Sequence, residues 1–84
     1  MSMKTFTAEV RVTLKRGVLD PQGKAIEGAL DSLGFEGVNQ VRQGKTFDIT
    51  LDAASKKEAE ASLNAMCEKL LANTVIEDYA VSIN

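Results

Sequence analysis

The chain has 84 residues, with 10 Lys or Arg against 12 Asp or Glu, a formal charge of −2, no histidine and one cysteine. That balance gives no pull toward nucleic acid or an anionic membrane, and a lone cysteine cannot close an intrachain disulfide. The length suits one domain, 1–84, burying roughly 60–65% of its unfolded surface, so the core is thin and self-association is an expected remedy.

Residues 4–15 alternate. Phe6, Ala8, Val10, Val12 and Leu14 share one face, and Thr7, Glu9, Arg11 and Thr13 the other, which predicts a half-buried strand. A helix is then marked at both ends. Asp20 is placed to cap its N-terminus, Pro21 suits the first helical position, and Gly34 suits a left-handed C-cap. Within 21–33, Ile26, Leu30 and Leu33 form an apolar stripe, with the small residues Ala25, Gly28, Ala29 and Ser32 beside it. Gly23 and Gly28 each cost about 1 kcal/mol against Ala inside a helix. Either another backbone approaches this face or the glycines are simply tolerated.

Residues 37–43 read as a second strand carrying Val38 and Val41, oddly spaced as at a bulge. Gly44-Lys45 then reads as a hairpin turn into 46–52, where Phe47, Ile49 and Leu51 alternate. Ser55 and Glu58 have capping-box spacing. Ala59, Leu63, Met66, Cys67 and Leu70 follow on one helical face, and Asn73 is the expected left-handed C-cap. A last strand over 75–84 puts Tyr79, Val81 and Ile83 together. The order β-α-β-β-α-β predicts an α+β, ferredoxin-like fold, with an antiparallel sheet, both helices on one face and right-handed crossovers. The other face is expected to be uncovered, with dimerisation through the sheet. The N-terminal stretch has no apolar core of a leader and no run approaches a bilayer span, so a soluble, cytoplasmic protein is expected.

No catalytic constellation emerges. Without histidine the commonest general base is missing, as are Ser–His and Cys–His pairs. Cys67 reads as a small core residue, and one cysteine without histidine makes no zinc site. Gly44-Lys45 lacks the rest of a phosphate loop. Glu77 and Asp78 are adjacent, so on a strand they point to opposite faces. Base stacking on sheet aromatics is disfavoured: there are three Phe, one Tyr and no Trp, and Phe6 and Phe47 belong under the helices. Lys15, Arg16, Arg42 and Lys45 gather at strand ends, where composition alone reads a solvated rim. A small-ligand regulatory module of the same fold stays open as a second function.

Three blocks, LKRGVLDPQG (14–23), VRQGK (41–45) and MCEKLLANTVIEDY (66–79), lie in order across nearly the whole chain. Together they resemble the PurS family, the small subunit of phosphoribosylformylglycinamidine (FGAM) synthase in de novo purine synthesis. Thr74 stands where the family often has Pro, and Met1-Ser2 is an extra lead. The resemblance implies a non-catalytic subunit, usually dimeric and possibly tetrameric. It would bridge a large synthetase subunit, which uses ATP and Mg, and a glutaminase subunit, and support ammonia transfer between them. This chain would hold no cofactor and no metal. Carried over, 16–20, 42–45 and 73–79 are candidate subunit contacts, with Lys15, Arg16, Arg42, Lys45, Asn73, Glu77 and Tyr79 as the named residues. Gly17, Asp20 and Pro21 already have turn and cap duties. Arg42 and Lys45 are expected to have none, so Arg42→Ala should weaken assembly without disturbing the fold.

Overall fold

The structure, a computed structural model, describes residues 3–84, so the Met1-Ser2 lead lies outside the described residues. The elements are β1 (Lys4–Leu14), α1 (Pro21–Ser32), β2 (Gly44–Ala53), α2 (Lys56–Met66) with a π-helical turn (Cys67–Leu71), and β3 (Glu77–Ile83). They form a three-stranded antiparallel sheet in the order β2-β1-β3.

The alternation of β1 decides where the core lies. Ala8, Val10 and Val12 are buried between two neighbours: Val10 opposes Phe47 and Val81, and Ala8 opposes Ile49 and Ile83. α2 covers this face through Ala59, Leu63 and Cys67, all fully buried. Half of the expected capping box forms: the Ser55 hydroxyl accepts from the Glu58 N–H at 3.2 Å, and among the described residues no bond returns from the Ser55 N–H to the Glu58 carboxylate.

The end of α2 differs from expectation. The Ala72 N–H donates to the Cys67 carbonyl at 3.0 Å, five residues back, which widens the last turn. Leu70, expected in the buried stripe, is turned outward, while Ala72 is buried. Asn73 adopts no left-handed conformation. Its side-chain carbonyl instead accepts from the Val75 N–H at 3.2 Å, making the turn that leads into β3.

Residues 37–43 form no strand, so the expected hairpin is absent, and Gly44 and Lys45 open β2 opposite Thr13 and Val12. The physical reason is where the segment's N–H groups find acceptors. The Val41 N–H donates to Glu27 Oε2 at 3.0 Å and the Gln43 N–H to Asp20 Oδ2 at 2.7 Å, both carboxylates belonging to α1 or its cap. Side chains thus satisfy what a neighbouring strand would otherwise have to satisfy.

α1 has the expected ends. Asp20 Oδ1 accepts from the Gly23 N–H at 2.8 Å. At the other end Gly34 (φ 92°) closes a Schellman motif, its N–H donating to Asp31 O and the Phe35 N–H to Leu30 O, each at 3.0 Å. Its destination is not the expected one. α1 does not lie on the sheet beside α2; with 38–43 it forms an arm reaching away from it. The chain measures 58 × 25 × 15 Å, and its radius of gyration is 16.9 Å against about 12 Å for a compact chain of this length. The other sheet face is uncovered, as the alternation of β1 predicts, and it is polar. Thr5, Thr7, Glu9, Arg11 and Thr13 line it along β1, with Asp48 and Ser82 beside Glu9.

Candidate subunit-contact site

β1 ends where β2 and β3 begin, so strand pairing alone brings the candidate residues to one end of the sheet. Val12 opposes Lys45 and Tyr79, and Leu14 opposes Glu77. Glu77 is the centre. Its Oε1 accepts from the Asn73 N–H at 2.7 Å, and its Oε2 lies 4.0 Å from Lys45 Nζ. The Lys45 ammonium also sits 5.9 Å above the centroid of the Phe47 ring. Lys15 donates its N–H to Ile76 O at 2.9 Å and pairs with Asp78 at 3.2 Å. That pair is solvent-exposed and contributes little to stability. The Tyr79 hydroxyl donates to Glu68 Oε2 at 2.7 Å, and this bond, which favours the protonated phenol, pushes its pKa above the ordinary 10.0. Arg16 is exposed and makes no hydrogen bond or ion pair among the described residues.

Arg42 is not idle. Its Nη2 donates to three main-chain carbonyls, Leu14 at 3.4 Å, Lys15 at 3.1 Å and Val18 at 3.4 Å. It therefore holds the turn after β1 around Gly17 (φ 84°). The expectation that Arg42 is free of structural duty is corrected: removing it would loosen this turn as well as any contact it makes outward. Of the basic candidates, Arg16 and Lys45 keep their cations most open to a partner.

Asp20, assigned only a cap, proves to be the joint of the arm. Its buried carboxylate accepts from Gly23 at the start of α1 and from Gln43 just before β2. Beside it the Gln22 and Gln43 side chains bond at 2.6 Å. The Gln43 and Gly23 N–H groups hold the Asp20 pKa below its ordinary 3.8. A depressed carboxylate stabilises the fold fully above its unfolded pKa, and that contribution is lost as pH falls through the folded value. Stability should therefore drop as pH falls below about 4, and the drop should be shallower in Asp20→Asn. Denaturation midpoints taken between neutral and acid pH check this.

Two open clefts lie at this end of the sheet. One, of about 250 Å³, is lined by Val12, Asp20, Gln22, Lys45 and Glu77; the other, of about 340 Å³, by Lys15, Glu68, Glu77 and Tyr79. The first mixes carboxylates, a cation and amides, the second carboxylates, a cation and the Tyr79 phenol, and neither sets a nucleophile beside a base. The one thiol, Cys67, lies in the core, where burial pushes its pKa up and away from the reactive thiolate. Among the described residues no three side chains converge to hold a metal, and no helix is long and apolar enough to cross a membrane.

A three-stranded antiparallel sheet with one helix packed on it and a second carried out on an arm makes this a small α+β protein. Comparison with known proteins gives the family. Residues 7–84 match the profile of PurS, described as phosphoribosylformylglycinamidine (FGAM) synthase. The FGAM synthase subunit PurS of Synechocystis sp. is 46% identical over 79 residues, 94% of this chain and 79% of that one. The PurS subunit of Archaeoglobus fulgidus is 49% identical over 74 residues, 88% and 92% of the two chains. A chain in the structure of PurLQS from Thermotoga maritima superposes with a TM-score of 0.89 at 32% identity, covering 98% of this chain and all of that one. This chain belongs to the PurS family.

Proposed function

We propose that this chain is the small subunit of an FGAM synthase and serves its complex by holding the other subunits together. The whole complex would convert FGAR, ATP and glutamine to FGAM, ADP, phosphate and glutamate. The large subunit would use ATP and Mg, the glutaminase would release ammonia, and this chain would bridge the two and support ammonia transfer, with no cofactor of its own. The observation that carries this reading is the end-to-end match to a chain of the Thermotoga PurLQS structure. The contact end supports it, since Lys15, Arg16, Lys45, Asn73, Glu77 and Tyr79 present charges and amides without a catalytic pair. The elongated shape and the exposed Leu33 and Phe35 at the end of α1 support self-association, a homodimer being the simplest closed form.

The test is to compare glutamine-dependent with ammonia-dependent FGAM synthesis by the large subunit and glutaminase, with and without this chain. Omitting it should abolish most of the glutamine-dependent rate and leave the ammonia-dependent rate largely intact. Equal rates by the glutamine route with and without the chain would refute the bridging role.

A further inference from the structure

We infer that the turn 15–20 and the loop 73–76 form one docking patch, which seats in an apolar depression with a carboxylate at its rim on another subunit of the complex. This patch deepens the bridging role proposed above, and rests on it, by naming the surface that carries it.

The two segments belong to one surface. β1 runs out into the turn and β3 starts from the loop, and the Lys15 N–H donates to the Ile76 carbonyl at 2.9 Å, which ties them side by side. Each brings apolar side chains into water: Leu19 is 70% exposed, Val75 81% and Ile76 39%. One exposed apolar residue is ordinary, but several among polar side chains mark a contact site. Lys15, Arg16 and Asp78 stand among these three. The centre of a protein interface has that make-up, with arginine enriched and the rim polar.

Charge tells what the partner carries. Lys15 pairs with Asp78 at 3.2 Å, and Lys45 faces Glu77 at 4.0 Å. Arg16 has no hydrogen bond or ion pair among the described residues, and Arg42 spends its Nη2 on main-chain carbonyls instead of a carboxylate. The charge left over at this end is positive, in a chain whose total is −2. A carboxylate from outside completes it through a charge-assisted bond to Arg16, and such complementarity selects the partner.

The patch is held ready. Arg42 grips the carbonyls of Leu14, Lys15 and Val18, and the Val18 N–H closes the turn on the Lys15 carbonyl at 3.2 Å. In the loop, the Ile76 and Glu77 N–H groups both donate to the Asn73 carbonyl, at 3.0 and 2.7 Å. Segments already ordered in the free chain lose little entropy on binding. The patch is also separate from the apolar tip of the arm. Leu19 precedes α1 and Leu33 follows it, and the 12 helical residues set about 18 Å between them.

The test places Leu19→Asp, Val75→Asp and Arg16→Glu singly in the full chain. Binding of each to the large synthetase subunit, to the glutaminase and to both together is measured by sedimentation of the labelled chain. Each variant is expected to lose about tenfold or more in affinity for at least one of them. The denaturation midpoint and the sedimentation of the chain alone are expected to stay as in the native protein, because all three side chains are exposed. Native affinity is expected to fall as salt rises, and Arg16→Glu to lose part of that dependence. A native chain that binds while all three variants bind equally well overturns the patch and leaves the bridging role standing. A native chain that binds neither subunit overturns both. If the substitutions change the sedimentation of the chain alone and leave partner affinity untouched, the patch joins copies of this chain and the inference is wrong.

Discussion

Gly23→Ala should destabilise this protein, although alanine is the better helix former by about 1 kcal/mol. A β-carbon at position 23 would stand 2.3 Å from the Val41 carbonyl oxygen and 2.9 Å from Asp20 Oδ2. The first is main chain, so relief requires 41–43 to move off the helix. That movement would strain the bonds from Val41 to Glu27 and from Gln43 to Asp20. Overpacking of this kind costs about 1–3 kcal/mol, which matches or outweighs the helical gain. The denaturation midpoint should fall, and amide exchange at Val41 and Gln43 should accelerate more than exchange in β1. Gly28→Ala is the contrast, since nothing within the chain lies within 4 Å of a β-carbon there. Equal midpoints for the two variants would show that the arm is not held at Gly23.

Leu63→Ala should cost more. Leu63 is fully buried and is among the largest fully enclosed side chains in the core, packed with Ala8, Val10, Val12 and Cys67. Leucine-to-alanine substitutions at such sites cost about 2–5 kcal/mol, depending on how far the cavity collapses. A domain of this length has roughly 4–13 kcal/mol in total, so the variant should lose a large share of its stability. Chemical denaturation should show a much lower midpoint, and α2 and the π-helical turn should lose their exchange protection together. A midpoint within experimental error of the native chain would mean that α2 is not what closes this sheet.

The parts of the fold legible in the sequence are those set by neighbours in the chain. The alternation around Val10, the Asp20 and Ser55 caps and the Gly34 terminus each depend on residues within a few positions, and each is found where expected. Cys67 is legible as core for the same reason. The segment 37–43 is not, because an extended loop and a strand differ only in which group accepts the N–H protons. Here the acceptors are Glu27 and Asp20, 14 and 23 residues away. Arg42 escapes for a similar reason, since its three carbonyls lie 24 to 28 positions upstream. The stripe on α1 is legible as apolar, yet no periodicity says which body will cover it. Lys15 follows β1, Lys45 lies in β2 and Glu77 and Tyr79 in β3, and only the pairing of β1 with both neighbours makes them a cluster.

The widened turn at Cys67–Leu71 stores one surplus residue at the end of α2. That surplus resets the rotational phase of everything after Cys67: Leu70 is thrown outward as an oily ridge, while Leu71 and Ala72 rotate in beneath the helix. Removing a single codon there would let an ordinary helix run on and swing the ridge back toward the sheet. Whether this domain offers a sticky shoulder to its surroundings therefore depends on a count of residues as well as on the leucine that the count turns outward.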